Sequence, residues 1–265
     1  MRIFTVDTFT DKPFTGNPAG VCIFEGDSSD ELYLQIAREI NCSETAFLIK
    51  NNEKFNIRWF TPKIEVNLCG HATLAAAHIL YKYRYCDPSQ EIEFESKSGR
   101  LTAKKIGNKI ELNFPQIFVK EAASNENIEK AFGIKPIYVG KNDNRYLIEI
   151  DNFERLLSIK PNFQMLKSVD LGRFIITAKS NLPKYDFCSR YFAPGVGVME
   201  DLVTGTAHCY LAPYWGQKLG KTTMTGFQAS ERSGTVECEL SNDDRVLMRA
   251  KAVVMHELVP NWIKQ

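Results

Sequence analysis

Side chains that could move protons or hold a ligand cluster at one point in the first half of the sequence. The stretch NLCGHATLAAAHIL, residues 67–80, places Cys69 and His71 at the start of a run of small, helix-forming residues. Such a pair could be a nucleophile with its base, two metal ligands, or the start of a helix that holds an anion. Two ligands in a short span are too few for a usual metal site, so the sequence predicts no metal. A Cys-His hydrolase is the weakest hypothesis, because this spacing rarely lets the imidazole reach the thiol and no orienting acid is evident.

Two carboxylates are candidates for proton transfer. Glu44, in INCSETAFL at 40–48, lies in a short polar segment directly before an apolar segment. Burial there would favour the neutral acid, which suits a general acid and base near neutral pH. Asp201 precedes Gly205 in GVMEDLVTGTAH at 197–208. The alternative interpretations are a loop carboxylate without function at the first position and a solvated acidic pair at the second.

The composition indicates a globular protein that acts on a small molecule. Of 265 residues 44% are hydrophobic, and 33 Lys and Arg against 32 Asp and Glu give a net charge of +1. This balance argues against nucleic acid and anionic lipid as partners, and no apolar run reaches the roughly 20 residues of a membrane span. The opening MRIFTVDTFT lacks the design of a secretory signal, so we expect a cytoplasmic protein. Seven cysteines without a C-x-x-C pair predict buried thiols in a reducing compartment.

The second half of the chain repeats motifs of the first half in the same order. The matching pairs are RWFTP at 58–62 with RYFAP at 190–194, CGHATLAAA at 69–77 with TGTAHCYLA at 204–212, and SGRLTAKKI at 98–106 with SGTVECELS at 233–241. The first pair is offset by 132 positions and the other two by 135. Three matches in register at about half the chain length indicate a duplicated unit.

Each repeat shows the same order of predicted elements. Each half begins with an alternating strand, continues with helical stretches and then has further strands. A Cys-Gly pair in the first half and a Thr-Gly pair in the second then precede a helix, at 72–80 and 207–215. More strands follow each helix. We therefore predict an α+β fold of two similar domains, each a mostly antiparallel, barrel-like sheet around a central helix. A polar, linker-like segment near 115–125 places the boundary, which gives domains 1–118 and 119–265 with chain ends that can cross over between them.

The two glycine steps predict a site for an anionic substrate. A helix N-terminus presents unpaired N–H groups and partial positive charge, and Gly70 and Gly205 would let a ligand approach the backbone there. Two halves related by an approximate two-fold axis would direct both helix starts into one cleft between the domains, where a small carboxylate is the natural ligand. TGNPAGV at 15–21 is predicted to form a turn around Gly16 and Asn17.

Taken together, these motifs resemble the PhzF-like family of phenazine biosynthesis proteins, which has the diaminopimelate epimerase fold. The resemblance covers essentially the whole chain and rests on VDTFTDKPFTGNPAGV, SETAFL, RWFTPKIEVNLCGHATLAAAHIL, EDLVTGTAH and RSGTVE, in this order. It implies two similar domains with the site between them, and neither a cofactor nor a metal. Many members of the family are dimers, so the resemblance also implies a homodimer.

The resemblance assigns roles to individual residues. In the characterised phenazine enzyme of this family, a glutamate in the SET-like motif moves a proton between carbons of a cyclic dihydroxy acid, and Glu44 occupies that position here. The Gly-His step of the family corresponds to Gly70 and His71, the acid before the second step to Asp201, and the hydroxyl residue after it to Thr206. The expected catalytic residues are Glu44, Asp201 and His71, and the expected substrate-binding residues are Asn17, Cys69, Gly70, Gly205 and Thr206.

Departures from the family pattern leave alternative functions open. The second motif commonly reads Glu-Asp-Pro-x-Thr-Gly-Ser, whereas this chain has Leu202 and Thr206. Amino-acid epimerases of this fold use two facing cysteines, but the internal repeat pairs Cys69 with Thr204, a poor acid or base. The leading hypothesis is a cofactor-independent isomerase that acts on a small carboxylate, with Glu44 as acid and base. The alternatives are an epimerase or racemase that uses Cys69, and a small-molecule binding protein without turnover.

Overall fold

The chain forms two compact units. The computed structural model describes residues 1–51, 54–167 and 172–260. Unit 1 comprises Met1–Asn113 and the segment that begins at Arg249, and unit 2 comprises Phe114–Met248. No helix in the described part of the chain combines the length and the apolar character that crossing a membrane requires.

Unit 1 is built mainly of strands. Its strands, numbered in chain order, are β1 (Arg2–Thr8), β2 (Asn17–Phe24), β3 (Glu44–Asn51), β4 (Lys54–Phe60), β5 (Glu65–Val66), β6 (Ile92–Ser96), β7 (Gly99–Ile106), most of β8 (Lys109–Pro115), and β18 (Ala252–Leu258). Its helices are α1 (Asp30–Ile40) and α2 (Gly70–Lys82). Strand β1 pairs antiparallel with β2 and β18, and β2 pairs in parallel with β3. Strand β4 continues the sheet, antiparallel to β3 and parallel to β6, and the β6, β7 and β8 strands form an antiparallel meander.

Helix α1 has the capping residues that its sequence requires. The Ser29 hydroxyl accepts a hydrogen bond from the N–H of Leu32 at 3.2 Å, which satisfies one of the free amides of the first turn. Asn41 ends the helix in the left-handed conformation at φ 54°. The helix buries Tyr33, Ile36 and Ala37.

Helix α2 is the central helix of unit 1. The sequence predicted a helix at 72–80, and the structure extends it to Gly70–Lys82 with 11 of its 13 residues buried. It contacts β1, β2, β3, β7 and β18. A helix that is apolar on every side is stable only inside a core, and its run of alanines allows strands to approach closely. The start of α2 is therefore fixed against the sheet.

Unit 2 repeats this organisation. Its strands are β9 (Lys120–Glu121), β10 (Tyr138–Asn142), β11 (Arg145–Glu149), β12 (Arg173–Lys179), β13 (Phe187–Ala193), β14 (Val198–Asp201), β15 (Thr223–Gln228), β16 (Gly234–Leu240) and the first part of β17 (Arg245–Ala250). Its helices are α3 (Glu126–Phe132), α4 (Phe153–Ser158), α5 (Phe163–Lys167) and α6 (Gly205–Leu219). Helix α6 extends the predicted helix at 207–215 in both directions and packs on β15 and β16.

The strand pairings confirm the predicted duplication. In unit 1 the pairs β1–β2, β2–β3, β3–β4 and β4–β6 are antiparallel, parallel, antiparallel and parallel. In unit 2 the pairs β10–β11, β11–β12, β12–β13 and β13–β15 follow the same series. The predicted α+β fold, two similar units of mostly antiparallel sheet with one central helix each, is confirmed.

A matching ion pair marks each repeat. Arg58 of β4 donates two hydrogen bonds to the carboxylate of Glu65, both at 2.8 Å. Arg190 of β13 does the same with Glu200, at 2.7 and 2.8 Å. In both units this bidentate pair fixes the short strand, β5 or β14, that precedes the central helix.

The turn predicted at 15–21 is shorter than expected. Gly16 has a φ of +74°, but Asn17 already begins β2. Pro18 is tolerated at this strand start because the parallel pairing of β2 with β3 begins only at Ala19. The prediction was therefore wrong for residues 17–21, where strand pairing overrides the local turn preference of Gly-Asn-Pro.

Candidate functional site

Three of the predicted site residues meet at the start of α2 in unit 1. Cys69 is the N-cap residue of this helix, and His71 lies in its first turn. Glu44, the first residue of β3, places Oε2 at 3.3 Å from Nε2 of His71. The Sγ atom of Cys69 lies 3.4 Å from Nδ1 of the same ring. One imidazole therefore stands between a thiol and a carboxylate.

This geometry overturns the spacing argument made against a thiol-imidazole contact. The imidazole of His71 does reach the thiol of Cys69, because the chain turns into α2 between the two residues. Glu44, 27 residues before His71, supplies the acid that the local sequence lacks. Only the pairing of elements distant in sequence creates the three-residue cluster.

Burial makes Glu44 a weaker acid than an ordinary glutamic acid. Its side chain is only partly exposed, and the loss of solvation raises the pKa of the Glu44 carboxyl above its usual value. A hydrogen bond from Ser43 opposes this shift and lowers the same pKa. The Oγ atom of Ser43 also lies 3.1 Å from Nε2 of His71. Burial and the Ser43 hydrogen bond thus act on the Glu44 carboxyl in opposite directions, and the effect of burial is the larger.

The cluster also corrects the count of potential metal ligands. The sequence offered two, whereas one ligand atom each from Glu44, Cys69 and His71 lie within 4.8 Å of one another. These three residues are the ones in the described chain that could hold a metal ion here. The positive end of α2 at the same place opposes a cation, because the first-turn amides carry partial positive charge. The arrangement suits proton transfer to an anionic ligand better.

The start of α2 carries partial positive charge. The Cys69 side chain makes no capping hydrogen bond to the first turn of the helix. Instead, the hydroxyl of Thr73 donates to the Cys69 carbonyl at 2.6 Å, one turn further on. The N-terminal end of α2, at Gly70 and His71, carries the partial positive charge of the helix dipole. This charge favours an anionic ligand near the start of the helix.

Asn17 lies at the same end of the sheet as Glu44. It is the first residue of β2 and is fully buried. Its backbone carbonyl accepts a hydrogen bond from the Thr8 hydroxyl at 2.8 Å. The parallel register pairs Ala19 with Glu44, so Asn17 stands two residues before that pair on the neighbouring strand. The structure therefore brings Asn17 to the edge at which β3 begins.

In unit 2 the predicted residues surround the start of α6. Asp201 is the last residue of β14, and Gly205 and Thr206 are the first two residues of the helix. The hydroxyl of Thr204, the N-cap residue, donates to Oδ2 of Asp201 at 2.6 Å. Thr204 likewise makes no side-chain capping bond to the first turn. The two helices thus begin alike, with a thiol at one N-cap and a hydroxyl at the other.

Two residues that support these groups were missed by the sequence analysis as site residues. Ser43 directly precedes Glu44 in the SETAFL motif and contacts His71. Gln228 is fully buried, accepts from the Thr204 N–H at 2.8 Å and donates to the Asp201 carbonyl at 2.7 Å. No motif surrounds Gln228, because its contacts depend on strand β15 reaching the β14–α6 loop.

Comparisons with known proteins agree with the fold and the motifs. The family profile described as PhzC-PhzF, phenazine biosynthesis-like protein, matches residues 6–257. A protein of Halalkalibacterium halodurans named as an uncharacterized isomerase is 48% identical over 256 residues, which is 96% of each chain. The crystal structure of a PhzF-family protein from Enterococcus faecalis has a TM-score of 0.92, with 36% identity over 97% of both chains. A putative PhzC/PhzF protein from Clostridium difficile also gives 0.92, with 37% identity over 98% of this chain and 99% of its own. The resemblance inferred from the motifs is confirmed, and the chain belongs to the PhzC-PhzF family of phenazine biosynthesis-like proteins.

Proposed function

We propose that this protein is an isomerase that moves a proton between carbon atoms of a small carboxylate-bearing substrate without a cofactor. The observation that carries the proposal is the partly buried Glu44 carboxyl, 3.3 Å from His71 at the start of α2. Its raised pKa allows both protonation states to be populated nearer to neutral pH. Membership of a family whose relatives are named as isomerases supports the same reaction class.

The proposed reaction is a balanced transfer of one proton. The Glu44 carboxylate takes a proton from a carbon next to a double bond or a carbonyl group, and the electron pair of the broken C–H bond stays with the substrate. The double bond then shifts, and the protonated carboxyl returns the proton to a second carbon. Atoms and electrons balance without an oxidant or a reductant. A carboxyl whose neutral form is favoured by burial can act in both steps.

The start of α2 supports the binding of an acidic substrate. Its partial positive charge favours a carboxylate and stabilises negative charge that develops on the substrate. His71 is held from two sides, by Cys69 at Nδ1 and by Glu44 at Nε2. We assign it the role of orienting the Glu44 carboxyl and of donating a hydrogen bond beside it.

The participation of Asp201 remains a proposal that comes from the family resemblance. Within unit 2, Thr204 and Gln228 hold its carboxylate and its backbone carbonyl in a fixed position. A carboxylate fixed in this way is suited to bind an ammonium or hydroxyl group of a substrate. We propose this role for Asp201, with Asn17, Gly205 and Thr206 as further substrate contacts.

A second candidate function is an epimerase that uses Cys69 as one of its bases. The 3.4 Å contact between Cys69 Sγ and His71 Nδ1 favours it, because a neighbouring imidazole can accept the thiol proton. Against it, Thr204 stands at the corresponding N-cap of α6 and cannot serve as the second thiol. A Glu44–Cys69 pair would have to act in place of two cysteines.

Exchange of carbon-bound protons in deuterated water tests both functions. The protein is incubated with a panel of small cyclic and amino carboxylates, and the loss of substrate proton signals is followed by NMR. We expect exchange with the wild type that is lost in Glu44→Gln and retained in Cys69→Ala. Glu39→Gln, an exposed glutamate on α1, serves as the matched control.

The other outcomes identify the alternatives. Exchange that disappears in Cys69→Ala and after thiol alkylation, with inversion of the substrate configuration, supports the epimerase instead. Ligand binding that is unchanged in Glu44→Gln, together with no exchange for any compound, contradicts the isomerase and supports a protein that binds without turnover.

A further inference from the structure

The internal repeat places an arginine in unit 2 where unit 1 carries Glu44. In unit 1 the parallel pairing of β2 with β3 begins at Ala19 and Glu44. In unit 2 the parallel pairing of β11 with β12 begins at Arg145 and Arg173. The next strands, β4 and β13, carry the matching motifs RWFTP and RYFAP in the same register to β3 and β12. Arg173 therefore corresponds to Glu44, and a second arginine lies beside it.

The two arginine side chains lie on the face of the sheet that α6 covers. Arg145 and Arg173 are paired across neighbouring strands, so their side chains point to the same face. The Cζ atom of Arg145 lies 4.8 Å from the ring centroid of Tyr210 in α6. It also lies 5.9 Å from the ring centroid of Tyr191 in β13. Both arginines are partly buried, and the two tyrosines are buried.

Asp201 belongs to the same group of side chains, because its register partner on β13 is Tyr191. Burial raises the pKa of Tyr191 above its usual value. The charges of Arg145 and Arg173 lower this pKa, whereas the charge of Asp201 raises it. Two guanidinium groups and one carboxylate therefore lie close to one buried hydroxyl group. The carboxylate is held within unit 2, since the Thr204 hydroxyl donates to its Oδ2 atom at 2.6 Å.

Both guanidinium groups are held in place by neighbouring side chains. The rings of Tyr191 and Tyr210 hold Arg145 through cation–π contacts. Arg173 donates from Nη1 to Oδ1 of Asn144 at 3.3 Å. The Nε–H of Arg145 is enclosed and has no hydrogen-bond partner among the described residues. A buried donor without a partner is unfavourable, and a ligand that brings an acceptor oxygen satisfies it.

We propose that Arg145 and Arg173 bind the carboxylate group of a small organic acid. A planar guanidinium group presents parallel N–H donors that match the two oxygens of a carboxylate. The rings of Tyr191 and Tyr210 beside the arginines suit the carbon skeleton of such an acid. All four residues belong to unit 2. Binding here does not require proton transfer by Glu44, so it is independent of the proposed isomerase activity.

Labelling with phenylglyoxal, which reacts with guanidinium groups, tests this site in the wild-type protein. The labelling rate of each arginine is followed by mass spectrometry in the presence of benzoate and, separately, of its neutral amide benzamide. We expect benzoate to slow the labelling of Arg145 and Arg173 in a saturable manner, and benzamide to leave both rates unchanged. Arg155 of α4, which pairs with Asp151 at 3.8 Å, is the internal control and should react equally fast in all samples.

Variants of Arg173 measure its share of the binding. In Arg173→Gln, the benzoate concentration that half-protects Arg145 should rise by roughly tenfold or more, as expected for the loss of a hydrogen bond between charged groups. Arg173→Lys keeps the charge but not the planar pair of donors, so its effect should be intermediate. Arg155→Gln removes the same charge elsewhere in unit 2 and should change this concentration by less than about twofold. Melting temperatures establish that each variant is folded, and the wild-type labelling decides the question if Arg173→Gln is not.

Glu44→Gln separates this binding from the proposed isomerase activity. We expect it to abolish proton exchange and to leave the protection of Arg145 and Arg173 by benzoate unchanged. Absence of protection by benzoate, or equal protection by benzamide, would overturn the proposal. Equal weakening in Arg173→Gln and Arg155→Gln would do the same, because it would show attraction by general charge. Loss of protection in Glu44→Gln would also contradict it, since the acid would then bind through unit 1.

Discussion

The Nε2 atom of His71 lies 3.3 Å from Oε2 of Glu44 and 3.1 Å from Oγ of Ser43. The Glu44 carboxylate and the Ser43 hydroxyl therefore both lie next to Nε2. The other ring nitrogen, Nδ1, faces the thiol of Cys69. Burial raises the pKa of the Glu44 carboxyl, and the hydrogen bond from Ser43 lowers it. The proposed role of the cluster can therefore be tested through the protonation state of the Glu44 carboxyl.

Replacing Glu44 by glutamine is expected to remove activity and to leave the fold at least as stable. An amide cannot accept a proton from carbon, and loss of a general acid-base group typically costs about 10²- to 10⁴-fold in rate. The amide keeps the shape of the carboxyl but carries no charge to desolvate, so the melting temperature at pH 7 should be equal or higher. Proton exchange by NMR and thermal unfolding measure the two effects. An active Glu44→Gln protein would assign the proton transfer to another group.

The raised pKa of Glu44 gives the reaction and the fold opposite dependences on pH. The reaction needs the carboxylate, so its rate should rise with pH through a midpoint above the usual range of a glutamic acid. The folded state instead holds the proton more tightly than the unfolded state. The stability contributed by this group is fully present below the unfolded pKa and is lost as the pH rises through the folded pKa. The stability gain of Glu44→Gln should therefore be larger at pH 7 than at pH 4, and a gain that is constant over this range would contradict the shift.

Ser43 is expected to position and tune Glu44. Its hydrogen bond lowers the pKa of the Glu44 carboxyl, so Ser43→Ala should move the rising limb of the pH-rate profile to higher pH. The rate on the high-pH plateau should change less than the rate near pH 6. Ser43→Thr keeps the hydroxyl and should restore the position of the limb. A uniform fall in rate at all pH values would show that Ser43 acts only on the structure.

The fold could be predicted because its signals are local and occur twice. The small-residue run after Gly70 indicates a helix, and motif pairs such as RWFTP and RYFAP indicate a repeat. The errors lie at element ends. The helix at 72–80 begins two residues earlier, and the turn at 15–21 gives way to β2 at Asn17, because tertiary pairing decides those residues.

The sequence indicated which residues form the candidate site but not which of them are in contact. Glu44, Cys69 and His71 were recognisable from their motifs, and their meeting at α2 required the register of β3 against the rest of the sheet. The local spacing of Cys69 and His71 wrongly indicated that the two side chains would not meet. Gln228 gave no signal, because a buried amide is recognisable only from the partners that it satisfies.

The Thr204 hydroxyl should stabilise unit 2 through Asp201. Thr204→Val keeps the shape of the side chain and removes the donor that lies 2.6 Å from Oδ2 of Asp201. A hydrogen bond to a carboxylate contributes roughly 1.5–3 kcal/mol to the free energy of unfolding, so a loss of this order is expected in urea denaturation. Thr222→Val, at an exposed residue, is the control and should change stability by less than about 0.5 kcal/mol. Equal effects of both variants would show that the hydroxyl of Thr204 contributes no specific bond.

The bidentate pair of Arg58 and Glu65 predicts how unit 1 responds to acid. Arg58 is the first cause that lowers the pKa of Glu65 to about 2, and both side chains are largely buried. A lowered folded pKa contributes stability above the unfolded value near 4.5, and this stability is lost as the pH falls toward 2. Glu65→Gln should therefore lower the free energy of unfolding by roughly 2 kcal/mol at pH 7 and by much less at pH 2.5. Glu95→Gln, which disrupts the exposed pair with Lys54, should change the free energy of unfolding far less at either pH, because solvent screens an exposed pair. If the destabilisation by Glu65→Gln does not depend on pH, Glu65 acts through packing and not through its charge. The interpretation of the corresponding pair, Arg190 and Glu200, would then change in the same way.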